Sequence, residues 1–336
     1  MRDRWLDRGR LCAPVLLLLL SGCATSEPSA SPKPLREIPF PGREVVDLAI
    51  VRAEDGQDRL YLADASGPEI LVLAAHQGRE LMRWPLAAEA ETPPRPVALA
   101  AGENGLLLAT RAPAAVFVLQ PLNGERLAEL PERLGLRAPT ALAAWPLRRG
   151  WHTVLVGDIE GVPGQVAPAG VVGVWQMRRR SDGRTAAWRA RQLKEDASGA
   201  PLTPIRALAE DPVADLTLVL TEPDGRLHRF RSDGTPLGFA PPGLEPSGWR
   251  RIAAVVCASG EGFWLALHED GRVERWQRQD LALAGRSPPL ARARALAWAA
   301  QDADERLIVL FADRVAWFRP EALGLGRCAG EGSQAR

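Results

Sequence analysis

Arg206, Arg250 and Arg294 stand at one recurring place in the chain, just before an apolar pair, where the earlier copies have Val46, Val97 and Thr140. Guanidinium groups take phosphate or carboxylate through paired hydrogen bonds, so three of them at one opening would hold an anion. A second recurring place, the end of a short apolar run, carries Asp64, Thr110, Asp158, Glu222, His268 and Asp313. Together with Asp47 and Glu160, the acids Asp64, Asp158, Glu222 and Asp313 would suit a hard cation such as calcium, which takes about six to eight oxygens. The plainer use of both sets is turn hydrogen bonds and ion pairs between neighbouring repeats. No nucleophile elbow, phosphate-binding loop or paired zinc ligands accompany them, and His76, His152, His228 and His268 are isolated from one another. The tryptophans Trp84, Trp145, Trp175, Trp264, Trp276 and Trp317 lie in apolar runs and suit core packing better than ligand stacking.

Positioning these residues requires a repeat. The motif appears as VVDLAIV, PVALAAG, PTALAAW, PIRALAE, RRIAAVV and RARALAW, its central Leu or Ile falling at 48, 99, 142, 208, 252 and 296. Most spacings are 43 to 51 residues, close to a propeller blade. The third is longer, its extra residues lying between Gly157 and Gly173 or near Arg178 to Asp196.

Each motif opens a unit of short alternating strands separated by turn residues. Asn123-Gly124, Ser232-Asp233-Gly234 and Glu269-Asp270-Gly271 are hairpin signals between apolar runs. About six units of four antiparallel strands, with no long amphipathic helix, predict an all-β fold, a six-bladed β-propeller. An open all-β stack or a pair of β-sandwiches is the competing architecture. The last unit lacks a fourth strand after Val315 to Arg319, and Leu35 to Phe40 is available to supply it from the other end of the chain. The first strand of each unit would then line a central channel.

The ends read differently from the middle. Arg2, Arg4, Arg8 and Arg10 make a basic start, and an apolar run from Leu11 to Leu20 is about half the length of a membrane-spanning helix. The stretch Leu20-Ser21-Gly22-Cys23 resembles the lipobox of bacterial lipoprotein signals. That resemblance implies a lipoprotein signal peptide over residues 1–22, cleavage before Cys23, lipidation of Cys23 and a membrane anchor. Ala24, in place of Asp, implies the outer membrane, facing the periplasm. Residues 23–34 are Ser- and Pro-rich and read as a tether, residues 35–328 as the propeller domain, and residues 329–336 as a polar tail.

The formal net charge of +1 argues against nucleic-acid binding. With Cys12 removed and Cys23 lipidated, Cys257 and Cys328 remain. Outside the cytoplasm such a pair either forms a disulfide or stays as two buried thiols, and the sequence leaves both open.

Several pieces between Leu155 and Leu237, and beyond, resemble phytase-like β-propellers. They are Val156-Gly157-Asp158 with its following insertion, Ile205-Arg206-Ala207-Leu208-Ala209, Leu220-Thr221-Glu222 and Gly262-Phe263-Trp264-Leu265-Ala266-Leu267-His268. The first unit, with Asp47 and Leu62-Ala63-Asp64, also fits. The resemblance implies several calcium ions in an acidic channel and cleavage of phosphate esters by metal-activated water. This sequence departs from it: Arg206 and Arg250 stand where family members carry glutamates, and His268 where an aspartate is expected. A calcium cage tolerates such swaps poorly. The expectation is therefore a lipid-anchored envelope propeller that holds a protein or an anionic small molecule, degenerate in catalysis. A calcium-dependent phosphomonoesterase is the alternative. A third reading is a structural subunit recruited through a blade edge or the loop from Gly161 to Gly170.

Overall fold

The six apolar motifs become the six innermost strands of a ring. In a computed structural model the described residues are 32–328, except 53–54, 87–92, 103–104, 131–136, 148–150, 161–168, 180–184, 212, 240–245, 258–259 and 302–303. Backbone alone is described at 145–147, 151–152, 159–160, 177–179, 185–190, 247 and 301. The chain enters on β1 (Arg36–Pro39). Blade 1 is β2 (Val45–Arg52), β3 (Asp58–Asp64), β4 (Glu69–Ala74) and β5 (Glu80–Pro85). Blade 2 is β6 (Pro96–Gly102), β7 (Gly105–Arg111), β8 (Ala114–Leu119) and β9 (Arg126–Glu129). Blade 3 is β10 (Ala141–Leu147), β11 (Trp151–Glu160), β12 (Ala169–Arg179) and β13 (Thr185–Leu193). Blade 4 is β14 (Ile205–Asp211), β15 (Leu216–Thr221), β16 (Leu227–Arg231) and β17 (Pro236–Phe239). Blade 5 is β18 (Trp249–Val256), β19 (Gly262–His268), β20 (Val273–Gln277) and β21 (Leu283–Arg286). Blade 6 has β22 (Ala293–Gln301), β23 (Asp304–Phe311) and β24 (Arg314–Phe318), with β1 as its outer strand.

Every sheet is four-stranded, and neighbouring inner strands pack in sequence from β2 round to β22 and back to β2. This is the expected six-bladed β-propeller. Its closure is the expected one too: β1 pairs antiparallel with β24, extended by hydrogen bonds from Leu35 N to Trp317 O and from Phe40 N to Asp313 O, both 2.7 Å. The added length of the third unit goes into blade 3, whose β11 and β12 run for 10 and 11 residues.

The repeated Leu-Ala pair explains the ring. Side chains alternate along a strand, so Leu and its neighbouring Ala face opposite blades. Leu99 packs on Ala49 of blade 1, Leu142 on Ala98 and Ala100 of blade 2, and Leu208 on Ala141 and Ala143 of blade 3. Ile252, Leu296 and Leu48 repeat the arrangement at the other three interfaces. A large residue from each blade thus fills the space left by small ones on the blade before it, and each such burial contributes about 1.5–3 kcal/mol. Trp84, Trp175, Trp264, Trp276 and Trp317 are buried in these same interfaces. The Trp145 side chain lies outside the described residues.

Turn chemistry holds the hairpins in register. At Glu269-Asp270-Gly271 the Asp270 side chain accepts a hydrogen bond from Arg272 N at 2.9 Å, and Gly271 takes φ 87°. A Cβ at Gly271 would collide with the Leu290 backbone, so glycine is required there twice over. A turn at Pro320–Leu323 leads to Cys328, which forms a disulfide with Cys257 at a Cα–Cα distance of 5.7 Å.

Candidate functional site: the channel and its mouth

Inner strands β2, β6, β14, β18 and β22 each shift register near their start, between Val45 and Asp47, Pro96 and Ala98, Ile205 and Ala207, Trp249 and Arg251, and Ala293 and Ala295. A bulge of this kind leaves one residue unpaired and turns the local side chains. The unpaired residues are Val46, Val97, Arg206, Arg250 and Arg294. In β10 the pairing starts regularly at Ala141, and Thr140 just before it donates its hydroxyl to Ile205 O at 2.7 Å.

The rim arginines meet different fates. Arg206 forms ion pairs with Glu222 at 3.0 Å and with Glu269 of blade 5 at 2.6 Å. The Arg206 hydrogen bond and charge, with Arg250 nearby, hold the Glu269 carboxyl below its ordinary range. Arg250 donates to Ala293 O of blade 6 at 3.3 Å. Arg294 is half-buried on the next bulge. Of the three arginines expected to hold an anion, Arg206 is thus matched by two carboxylates. The residue after Arg250, Arg251, lines the channel, as does Arg52.

The described acids have separate partners. Asp64 accepts from Ser66 Oγ at 2.6 Å, from Ser66 N at 2.9 Å and from Glu44 N at 3.3 Å. Asp158 accepts from Ala138 N at 2.6 Å and Arg137 N at 2.9 Å. Glu222 pairs with Arg206, and exposed Asp313 accepts from Arg314 at 3.0 Å. Asp47 accepts from Leu99 N of blade 2 at 2.9 Å. The Glu160 side chain, Cys23 and residues 161–168 lie outside the described residues. Among the described residues no group of three or more His, Cys, Asp or Glu side chains is arranged to hold a metal ion. Each described strand-end acid of the expected calcium set is held by loop amides or arginines of its own surroundings. His268, which stands where the resemblance asks for an aspartate, lies 2.9 Å from Glu274. Arg286 binds the same carboxylate.

What the inner strands do enclose is a central cavity of about 550 Å³. The position preceding the repeated Leu or Ile is Asp47, Ala98, Ala141, Ala207, Arg251 and Ala295 round the ring. The position two beyond it is Ile50, Ala101, Ala144, Glu210, Ala254 and Trp298. Asp47 of blade 1 and Arg251 of blade 5 meet at 3.8 Å although blade 6 stands between them. Burial pushes the Asp47 carboxyl up, against the opposing pull of Arg251 and the amides of Leu99 and Leu48. Further along the channel burial pushes Glu210 up to about 8, opposed by Arg191 and reinforced by Asp215. Arg251, Glu210 and Trp298 carry the cavity's character and were not singled out as site residues from sequence. The signal that marks them is contrast, since most blades have alanine at the same two positions.

The fold and site together define an all-β, six-bladed propeller with a closed ring and a channel walled by small aliphatic residues. Among solved structures, the chain is similar to BBS1N as crystallised in complex with ARL6DN: TM-score 0.53, 12% identity, covering 88% of this chain and 98% of that one. A chain of a Nidogen/Laminin complex aligns at TM-score 0.48 and 13% identity over 72% of this chain and 79% of its own. At such identities the likeness is one of fold. No protein-family model and no curated protein sequence matches the chain.

Proposed function

We propose that the chain is an exported, lipid-anchored β-propeller of the cell envelope that serves as a binding or scaffold module. The observation that carries the address is the Cys257–Cys328 disulfide, because such bonds persist in oxidising compartments and are rare in the cytosol. It is independent of the leader sequence and agrees with it. The tether would run from lipidated Cys23 straight into β1, the strand that closes the ring. The lipid tether would then lie beside the ring closure in sequence. The outer membrane, facing the periplasm, is the proposed location, from Ala24 after the cysteine.

Recognition rather than turnover fits the distribution of charge. A calcium-dependent phosphomonoesterase of the phytase-like kind needs carboxylates free to share a cation. Asp64, Asp158 and Glu222 are instead bound by their own loops and by Arg206. BBS1N, similar in fold, was crystallised with a protein partner, which agrees with a protein-binding role for this one.

Two measurements test the proposal. Cys23→Ser should lose radiolabelled palmitate and leave the membrane fraction; retained label would sink the anchor. Phytate with saturating calcium should release no phosphate above background, and rapid release would overturn the binding-module reading.

A further inference from the structure

We infer that the central channel is a binding site for a small organic anion with an apolar body, a medium-chain monocarboxylate whose carboxylate sits on Arg251 at the mouth. The inference stands whether or not the chain is lipid-anchored.

The cavity volume of about 550 Å³ falls within the range of small-molecule sites, about 300–1,000 Å³. Its wall is built by six inner strands and is lined mostly by Ala, Leu and Ile, with Arg52, Asp58 and Glu210 as further charged residues beyond the Asp47–Arg251 pair. From Arg251 to Val256 that wall runs for about 17 Å at about 3.3 Å per residue, long enough for an eight-carbon chain. A bare inorganic anion would leave this apolar length unused.

The charge at the mouth is placed, not incidental. Four of the six equivalent positions are alanine, and the other two are Asp47 and Arg251. Their contact is loose, at 3.8 Å, and a second oxygen of Asp47 is already engaged by Leu99 N–H at 2.9 Å. A guanidinium carries five N–H donors. Among the described residues, Asp47 is the one acidic partner of Arg251, so most of its donors remain for a ligand. Burial also weakens the hold of Asp47, by favouring its uncharged form. Arg250 and Arg294, on the bulges of β18 and β22 at this same end, add positive potential without filling the channel. A cationic ligand is served less well, because Asp47 is engaged by Leu99 N–H, Asp58 is paired with Arg52 at 3.0 Å, and burial keeps the Glu210 carboxyl protonated up to about pH 8. Apolar wall and surplus donors at one end together select an amphiphilic anion.

The test is calorimetric titration of octanoate, below its micellar concentration, into the purified full-length chain, beside octanol and octylammonium. The three share one chain, so partition into detergent is common to all. Saturable binding of octanoate, with octanol and octylammonium about tenfold weaker or worse, is expected from loss of a charge-assisted hydrogen bond. Arg251→Met should weaken octanoate by a similar factor, whereas Asp47→Asn should keep or tighten it by removing the competing carboxylate. Absence of saturable heat overturns the inference. So does equal affinity for octanol, unchanged affinity in Arg251→Met, or loss of binding in Asp47→Asn. Should Arg251→Met fail to fold, the octanol comparison and Asp47→Asn still decide.

Discussion

Arg250 and Arg251 are adjacent in β18 and do different work. Arg250 sits on the bulge and binds the Ala293 carbonyl of the next blade, while Arg251 lines the cavity and reaches Asp47 on the far side of blade 6. The same division holds round the ring. The rim, at the bulge positions, varies from Val46 to Arg294 and makes contacts open to solvent. The wall, one to four residues further on, is mostly Leu and Ala and mostly buried. Variation is tolerated where solvent screens a contact, and repetition is required where six interfaces must close with one packing rule. Wall substitutions should therefore move stability strongly and rim substitutions weakly.

The largest effect should come from opening the ring. Deleting residues 35–40 removes β1, leaves the β24 edge unpaired and empties the site of Phe40, which is 5% exposed. Loss of the Phe40 side chain alone costs about 3–5 kcal/mol. Thermal melting should fall by about 10 °C or more, or lose its cooperativity. An unchanged transition would mean that the ring closes without β1 and that the wall, not the seam, sets stability.

Within the wall, Leu99→Ala should cost about 2–5 kcal/mol in denaturant unfolding, because the cavity it leaves faces Ala49 and cannot be refilled by a neighbouring large residue. A cost below about 1 kcal/mol would break the distinction between wall and rim.

Glu210 sharpens the comparison because it is a charged residue in the wall. Its carboxyl is raised from 4.5 to about 8 by burial, so the folded chain keeps this proton where the unfolded chain loses it. Below the unfolded value both states hold the proton and nothing is lost. As pH rises from 4.5 to about 8 the unfolded state is progressively favoured, by on the order of a few kcal/mol in all. Glu210→Gln should remove that loss. The variant and the parent should converge near pH 4 and separate near pH 9, with the variant the more stable. Parallel curves would show that Glu210 is hydrated and belongs with the rim.

Much of this was legible in the sequence because the forces that set it are local. The Leu-Ala pair, the Asx-Gly turns and the missing fourth strand in the last unit are each written within a few residues, and they specify blade, hairpin and closure. The site was legible only to within one residue. A bulge changes the alternation of side chains, and nothing local to Arg250 and Arg251 says which of them enters the channel. The partners of the acids were hidden for a related reason. Asp158 is bound by amides at 137 and 138, and Arg206 finds Glu269 at a separation of 63 residues. Both partnerships exist only once the blades are assembled.

The smallest effect should be at the rim, and Arg206 is the sharpest place to look for it. Its side chain is 18% exposed, but its partners Glu222 and Glu269 are 49% and 53% exposed. Ion pairs with that much solvent access contribute about 0–1 kcal/mol, and salt screens them further. A double-mutant cycle of Arg206→Met and Glu269→Gln should give a coupling energy of at most about 1 kcal/mol at low salt, shrinking at higher ionic strength. The Arg206–Glu269 pair does span two blades, so a larger value has a definite meaning. Coupling above about 2 kcal/mol that survives salt would indicate a desolvated pair acting with the wall at the interface of blades 4 and 5. In that case the rim arginines would be structural staples, and the bulges that present them would have been placed for ring closure rather than for shaping the mouth.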